Sequence, residues 1–169
     1  LGSKPPLPMN KPIRILVVGC GNMGASHATA YHQMPEFEIS GLVSRGDSKL
    51  RLQEKLGSDY PLFEDFETAL AESQSDAVCI STYPDTHEAF SIAALEAGCH
   101  VFLEKPIADS LAGAENVAKA VLKSGKKLVV GYILRHHPSW IKFIEITKNL
   151  GKPLVMRMNL NQESHGYMW

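Results

Sequence analysis

The sequence predicts an α/β fold of the Rossmann type, a doubly wound parallel sheet with helices on both faces. The first observation is the alternation of short β-branched or aliphatic runs with helical segments, in the order βαβαβαβαβαβ. The second is that the connections between them are short, which is typical of parallel strands joined by crossover helices. The third is a stretch with three glycines, residues 17–24 (VVGCGNMG), that joins the first apolar run to the first helix.

The glycine stretch has the spacing GxGxxG and predicts a dinucleotide site. Gly19 allows the sharp turn after the strand, Gly21 lets the backbone approach a pyrophosphate, and Gly24 lets helix and strand pack closely. The N–H groups at the start of the helix then face the phosphates, where the helix dipole favours negative charge. A glycine-rich turn with a purely structural role is the alternative. The predicted cofactor-binding residues here are Gly19, Cys20, Gly21, Asn22, Met23 and Gly24.

Six strands are predicted from runs of β-branched and aliphatic residues, at 13–18, 37–43, 61–63, 76–81, 100–103 and 127–132. Helices are predicted at 22–34, 48–56, 66–72, 88–97, from 110 or 111 to 124, and at 140–150 after Pro138. Their ends are predicted from capping residues, with Asp65 and either Asp109 or Ser110 at N-termini and Gly57, Gly98 and Gly125 at C-termini.

The second strand ends at the position that reads the adenosine ribose in a dinucleotide fold, about twenty residues after the glycines. Ser44 and Arg45 occupy it. A hydroxyl with a guanidinium suits a 2′-phosphate, whereas a carboxylate suits a free 2′-hydroxyl, so the pair favours NADP over NAD. The alternatives are that Arg45 stacks on the adenine and that Asp47 serves the ribose or caps the next helix.

Composition narrows the classes of function. The chain has 169 residues and a formal net charge of −1, so no overall field attracts nucleic acid or an anionic membrane. It contains no apolar run near twenty residues and no signal-peptide pattern, and we expect a cytoplasmic protein. Cys20, Cys79 and Cys99 lie in or beside apolar strands and are interpreted as reduced packing residues. No clustered carboxylates or CxxC motif predicts a metal site.

Three segments are expected along the chain. Residues 1–10 have the composition of an expression remnant or a flexible leader, and residues 11–150 form the dinucleotide-binding domain. Residues 154–161 (LVMRMNLN) alternate apolar and polar side chains, which predicts a strand with one solvated face. Because one amphipathic strand cannot bury its face alone, we expect residues 151–169 to begin a second α/β domain that is missing here.

Four motifs together resemble the glucose–fructose oxidoreductase, inositol dehydrogenase and rhizopine catabolism family (Gfo/Idh/MocA). They are the glycine stretch followed by His27, Thr82-Tyr83-Pro84 followed by His87, Glu104-Lys105-Pro106, and Gly131-Tyr132 followed by Arg135. The resemblance spans nearly the whole chain, and Glu-Lys-Pro after the fifth strand is its most specific part. It implies an NAD(P)-dependent oxidoreductase that acts on a sugar, a polyol or a related hydroxy compound.

The resemblance also implies roles for individual residues. Lys105 would lie beside the nicotinamide and the substrate hydroxyl, where an ammonium polarises a carbonyl or stabilises a developing alkoxide. Glu104 would hold Lys105 and Pro106 would fix the turn. A surface ion pair is the alternative for this motif.

Further residues are implied on the nicotinamide side. Thr82, Tyr83 and Pro84 would line the nicotinamide ribose. His87 would contact the cofactor, with a packed or capping histidine as the alternative. Arg135 would lie near the nicotinamide and substrate, with a structural salt bridge as the alternative.

In the resembling family, an aspartate and a histidine four residues later transfer the proton, and both belong to the second domain. This chain contains no such pair, so we expect it to bind cofactor but to catalyse poorly or not at all. The family's second-domain sheet also forms the subunit interface, which implies a homo-oligomer. The rival hypotheses are a non-catalytic dinucleotide-binding regulatory protein and a two-domain reductase of another family.

Overall fold

The computed structural model describes residues 11–153, 155–157 and 159. These residues divide into two compact units, of which the second begins at Tyr132. The first unit contains one six-stranded sheet in the order β3-β2-β1-β4-β5-β6. All neighbouring strands are parallel. The strands are β1 (Ile13–Val18), β2 (Phe37–Val43), β3 (Leu62–Phe63), β4 (Ala77–Ile80), β5 (His100–Leu103) and β6 (Leu128–Val130).

The central strands of the sheet are buried on both faces, which confirms the predicted doubly wound fold. Alternate residues of β1 enter two separate apolar clusters: Ile15 and Val17 belong to one, and Leu16 and Val18 to the other. This period of two, with both sets apolar, is the pattern of a central parallel strand. The helices of the first unit are α1 (Asn22–Gln33), α2 (Ser48–Leu56), α3 (Phe66–Glu72), α4 (His87–Glu96) and α5 (Leu111–Ser124).

Capping side chains explain where the helices begin. Asp65 accepts a hydrogen bond of 2.8 Å from the Thr68 N–H at the start of α3. At the start of α5 the Ser110 hydroxyl accepts from the Gly113 N–H at 3.0 Å, so Ser110 caps this helix and Asp109 does not. The prediction for α4 was one residue late, because the 3₁₀ turn Pro84–Thr86 leads directly into His87.

The second unit contains a 3₁₀ turn (Ile133–His136) and α6 (Pro138–Lys148). Pro138 is the first helical residue, where its missing N–H costs nothing, and α6 ends two residues before the predicted boundary. Of the strand predicted at 154–161, residues 154, 158, 160 and 161 lie outside the described residues, and 155–157 and 159 have no regular structure. The predicted leader, residues 1–10, also lies outside them.

Candidate active site

A cavity of about 590 Å³ lies at the carboxyl ends of β1, β2 and β4. β1 is the central strand from which the chain winds in opposite directions, and such a switch point is where open α/β sheets bind ligands. The cavity wall includes seven of the residues that the sequence predicted for a cofactor site: Gly19, Cys20, Gly21, Ser44, Arg45, Thr82 and Tyr83.

The three motif glycines occupy three different environments. Gly19 has φ of +89°, and a Cβ there would lie 2.5 Å from the Ser81 carbonyl oxygen. A Cβ on Gly24 would lie 1.7 Å from the carbonyl oxygen of Gly19, so only glycine fits where α1 crosses the turn. A Cβ on Gly21 would meet no atom within 4 Å. Gly21 is therefore bare backbone facing open space, as a close-approaching phosphate requires.

The start of α1 is suited to hold an anion. Gly21 is the N-cap residue, makes no side-chain cap, and is followed by no acidic residue in the first turn. The N–H groups of Asn22, Met23 and Gly24 come before the first intrahelical hydrogen bond, which Ala25 donates to Gly21 at 2.8 Å. The positive end of the helix thus remains available to the pyrophosphate of a dinucleotide, and the residues fit that group.

A buried lysine that the sequence reasoning missed holds the loop at the predicted ribose position. Lys49 is only 6% exposed, and its ammonium donates to the carbonyl oxygens of Ser44 at 2.7 Å and Gly46 at 3.1 Å and to Glu64 Oε1 at 2.6 Å. The Ser44 hydroxyl lies 2.6 Å from that of Ser48, and Arg45 is exposed in the cavity wall. The sequence feature that could have identified Lys49 as buried is its place on the same face of α2 as Leu52 and Leu56.

The cysteines are packing residues in this structure. All three are buried and free. Burial raises the pKa of the Cys20 thiol to about 11, partly offset by the Lys49 charge, and raises that of Cys79 to about 12. Burial also raises the pKa of Cys99. The thiols are therefore protonated at neutral pH, and Cys20 contributes an apolar wall to the cavity rather than a nucleophile.

The turn after β4 is ordered by its own threonines. The hydroxyls of Thr82 and Thr86 lie 2.6 Å apart, and Thr86 donates to the Tyr83 carbonyl at 2.8 Å. Tyr83 is 65% exposed, and Pro84 begins the 3₁₀ turn. Thr82 and Tyr83 line the cavity at this point. The turn therefore presents a defined surface to a ligand that crosses the sheet edge from β1 to β4.

His87 is fully buried, with an exposure of 0%. Its Nδ1 lies 2.6 Å from the carbonyl oxygen of Pro106 and its Nε2 lies 3.1 Å from that of Thr82. Both ring nitrogens thus meet backbone carbonyls, which leaves no polar atom of the ring for a cofactor. The geometry favours the packed histidine over direct contact with the nucleotide.

The Glu-Lys-Pro turn follows β5, and its glutamate is buried. Glu104 is 6% exposed; its Oε1 lies 2.8 Å from His27 Nε2, and its Oε2 accepts from the backbone N–H of Lys105 at 3.2 Å. Lys105 itself is exposed. Glu104 therefore holds Lys105 by its backbone, and a simple surface ion pair does not describe this motif.

Comparison with known proteins identifies the family. The family described as "Oxidoreductase family, NAD-binding Rossmann fold" (GFO_IDH_MocA) matches residues 13–132. The chain belongs to this family. An inositol 2-dehydrogenase of Saccharopolyspora erythraea is 34% identical over 155 residues, which cover 87% of this chain and 45% of that protein. The chain thus spans about half the length of the curated relatives it matches.

Solved structures of the Gfo/Idh/MocA family have the same fold. The scyllo-inositol dehydrogenase of Lactobacillus casei, solved with NAD(H) and scyllo-inositol, has a TM-score of 0.75 and 28% identity, covering 82% of this chain and 41% of that one. A variant of KijD10, a 3-ketoreductase of Actinomadura kijaniata solved with NADP, has a TM-score of 0.73 and 27% identity. The match covers 81% of this chain and 42% of that one. NAD and NADP thus both occur among similar members.

Arg135, the last of the site residues expected from the family resemblance, belongs to the second unit. Its guanidinium carbon lies 5.8 Å from the centre of the Tyr132 ring, a cation–π distance. Among the described residues, no three His, Cys, Asp or Glu side chains are grouped so as to hold a metal. No helix in the same part of the chain is both long enough and apolar enough to cross a membrane.

Proposed function

We propose that this chain is the cofactor-binding part of an NAD(P)-dependent dehydrogenase that acts on a CH–OH group of a sugar, polyol or related hydroxy compound. The observation that carries the proposal is the combination of two features at one sheet edge. The bare backbone at Gly21 and the uncapped start of α1 suit a pyrophosphate. The exposed Lys105 stands on a turn held by a buried carboxylate.

Each part of the site has a separate task in this proposal. The glycine loop and Thr82–Tyr83 bind and orient the dinucleotide, and when bound the nicotinamide supplies hydride chemistry. The Lys105 ammonium donates a hydrogen bond to the substrate oxygen and stabilises the negative charge that develops there. By family resemblance the proton-transferring aspartate and histidine belong to a second domain, so this chain by itself should bind nucleotide without appreciable turnover.

We infer a preference for NADP from the loop after β2. Arg45 is an exposed guanidinium in the cavity wall, suited to a 2′-phosphate. Glu64, Asp65 and Glu67 also line the cavity and would repel a phosphate. The Glu64 carboxylate, however, is paired with the buried Lys49 ammonium at 2.6 Å, which reduces its repulsion. The expected oligomer forms through a second-domain sheet, as the resemblance implies.

Nucleotide titration tests both assignments. The chain is titrated with NADPH and with NADH, followed by the fluorescence of the reduced nicotinamide, for wild type, Arg45→Ala and the control Arg51→Ala, an exposed arginine of α2. We expect NADPH to bind more tightly and Arg45→Ala to lower that advantage about tenfold or more, since a hydrogen bond to a charged group is lost. Arg51→Ala should bind as wild type does.

Two results would contradict the proposal at different levels. Tighter binding of NADH, unaffected by Arg45→Ala, would leave the dinucleotide site in place and remove the NADP preference. A chain that is folded by circular dichroism and binds neither nucleotide would remove the cofactor assignment itself. A longer protein that contains this chain, binds nucleotide and oxidises no polyol or sugar would favour the non-catalytic regulatory alternative.

A further inference from the structure

The turn that carries Lys105 is held on both sides by histidines from two different helices. His27 of α1 bonds to Glu104, the residue before the lysine, at 2.8 Å. His87 of α4 bonds to the carbonyl oxygen of Pro106, the residue after it, at 2.6 Å. Neither histidine touches the lysine side chain through these bonds, so any effect they have is exerted through the backbone of the turn.

The His27 contact is enclosed by neighbouring groups. The imidazole packs on Phe102 with ring centroids 4.7 Å apart, and the side chain of His27 is 17% exposed. A Cβ on Gly131 would lie 3.1 Å from Glu104 Oε1, so the carboxylate is walled in on that side. Its second oxygen accepts from the Lys105 N–H at 3.2 Å. The orientation of Glu104 is therefore set by His27 and transmitted to the Lys105 peptide.

The His87 contact joins two turns of the site. Nδ1 lies closer to a carbonyl oxygen than Nε2 does, so we place a hydrogen on Nδ1, which donates to Pro106 O. The other nitrogen faces the Thr82 carbonyl at 3.1 Å. His87 thus lies between the turn that lines the cavity and the turn that carries Lys105. His87 also directly follows the 3₁₀ turn Pro84–Thr86, so its bond to Pro106 O joins the Thr82 turn to the Lys105 turn.

We propose that His27 and His87 are positioning residues that fix the Lys105 turn relative to α1 and to the Thr82 turn. This inference rests on the proposed role of Lys105 in the reaction. His27 couples the lysine to the helix whose N-terminus faces the pyrophosphate, and His87 couples it to the turn of the nicotinamide ribose. Together they set the place of the ammonium relative to the bound nucleotide, although neither residue contacts substrate or cofactor.

The test compares leucine variants, which pack without a hydrogen bond, with amides that restore one. The variants are His27→Leu, His27→Gln, His87→Leu and His87→Asn, since a glutamine amide approximates Nε2 and an asparagine amide approximates Nδ1. The matched control is His32→Leu, because His32 also lies on α1 but is exposed and bonds to the Tyr60 hydroxyl at 2.7 Å. Thermal unfolding of each variant identifies those that remain folded.

Two readouts separate positioning from folding. The first is the amide proton shift and hydrogen-exchange rate of Lys105 by NMR, where exchange should be about tenfold faster in the leucine variants because the turn loses a supporting hydrogen bond. The second is the affinity for ADP-ribose and its 2′-phosphate compared with that for NADH and NADPH. The two probes that lack nicotinamide should bind within about twofold of wild type, whereas the reduced dinucleotides weaken by a larger factor.

Each outcome supports or overturns the inference. The inference is supported if the amide shift and exchange rate of Lys105 return to wild-type values in His27→Gln and His87→Asn while the control His32→Leu stays unchanged. A Lys105 amide that is unaffected in folded leucine variants overturns it, as does an equal loss of affinity for all four probes. If a leucine variant fails to fold, His27→Asn, whose shorter amide does not reach Glu104, and His87→Gln replace them under the same criteria. A wild type that binds no probe contradicts the proposed function, while the amide measurement still decides the positioning.

Discussion

The two sides of the candidate site are built on different principles. The glycine-loop side, residues 19–24 and 44–46, presents backbone and exposed side chains to the cavity, and its decisive feature is the absence of atoms at Gly21. The lysine side, residues 82–87 and 104–106, depends on the buried side chains of His87 and Glu104, whose partners lie elsewhere in the sequence. His27 and Glu104 are 77 positions apart in sequence. One side is specified locally, and the other exists only in the folded chain.

This difference predicts opposite sensitivities. On the glycine-loop side, added atoms cause damage, because the backbone must approach its own neighbours and a ligand closely. On the lysine side, removed atoms cause damage, because a buried donor or acceptor loses its partner. Substitutions that test the two sides should therefore differ in kind as well as in size.

The largest effect is expected from Gly24→Val. Its Cβ would lie 1.7 Å from the Gly19 carbonyl oxygen, so α1 must move away from the turn. We expect a loss of about 3 kcal/mol or more in the free energy of unfolding, measured by urea denaturation, because overpacking against backbone cannot be relieved by a rotamer change.

Gly21→Ala is the matched control, since its Cβ meets no atom within 4 Å. It should unfold within about 1 kcal/mol of wild type and yet bind NADPH and NADH about tenfold more weakly, because the methyl group occupies the space of the phosphate. Equal stability losses for the two variants would contradict the division of roles within the glycine loop.

Much of the fold could be predicted because its determinants are local. The bounds of β2, α2, α3 and β5 agree with the sequence predictions to the residue, since apolar runs end at turn residues and helices end at glycines such as Gly57. The choice between Asp109 and Ser110 could not be made from sequence, because both side chains are good caps and only the folded backbone places one of them opposite Gly113.

The site was less predictable where its contacts are long-range. The glycine spacing located one side of the cavity, because the three glycines lie close together in the sequence and form a recognisable motif. The partners of His87, two carbonyl oxygens on different turns, leave no signature in the spacing of residues. Lys49 was missed for a different reason: a lysine at the start of a helix is ordinarily solvated, and only its place on the apolar stripe marks it.

Lys49→Met tests whether residues 44–46, the loop after β2 on the glycine-loop side, depend on the buried Lys49 for their conformation. Methionine has a similar length and no charge, so the two carbonyl oxygens and the Glu64 carboxylate lose their shared donor. We expect about 1–3 kcal/mol of destabilisation by urea denaturation. The NADPH advantage over NADH should also fall, because Ser44 and Arg45 are less fixed and Glu64 is no longer neutralised.

Lys123→Met is the control, because Lys123 is a solvent-exposed lysine that lies 3.7 Å from Glu96. Its loss should cost no more than about 0.5 kcal/mol. A Lys49→Met protein that is as stable as Lys123→Met would show that residues 44–46 keep their conformation without the buried ammonium. The glycine-loop side would then depend on no buried polar side chain of this kind.

The smallest effect sharpens the comparison at one fully local bond. Asp65 lines the cavity, is exposed, and caps α3. The hydrogen bond from the Thr68 N–H lowers the pKa of its carboxyl below the ordinary value of 3.8. Folding thus favours the carboxylate, so its stabilising contribution is complete above the unfolded pKa and is lost as the pH falls through the lower folded value.

The urea midpoint of wild type should exceed that of Asp65→Ala by a constant margin near neutral pH, and the margin should narrow below about pH 4. Asp65→Asn keeps an acceptor without a titrating group, so its margin over Asp65→Ala should not depend on pH. A wild-type margin that persists unchanged in acid would mean that the charge of the cap contributes nothing and that only its geometry matters.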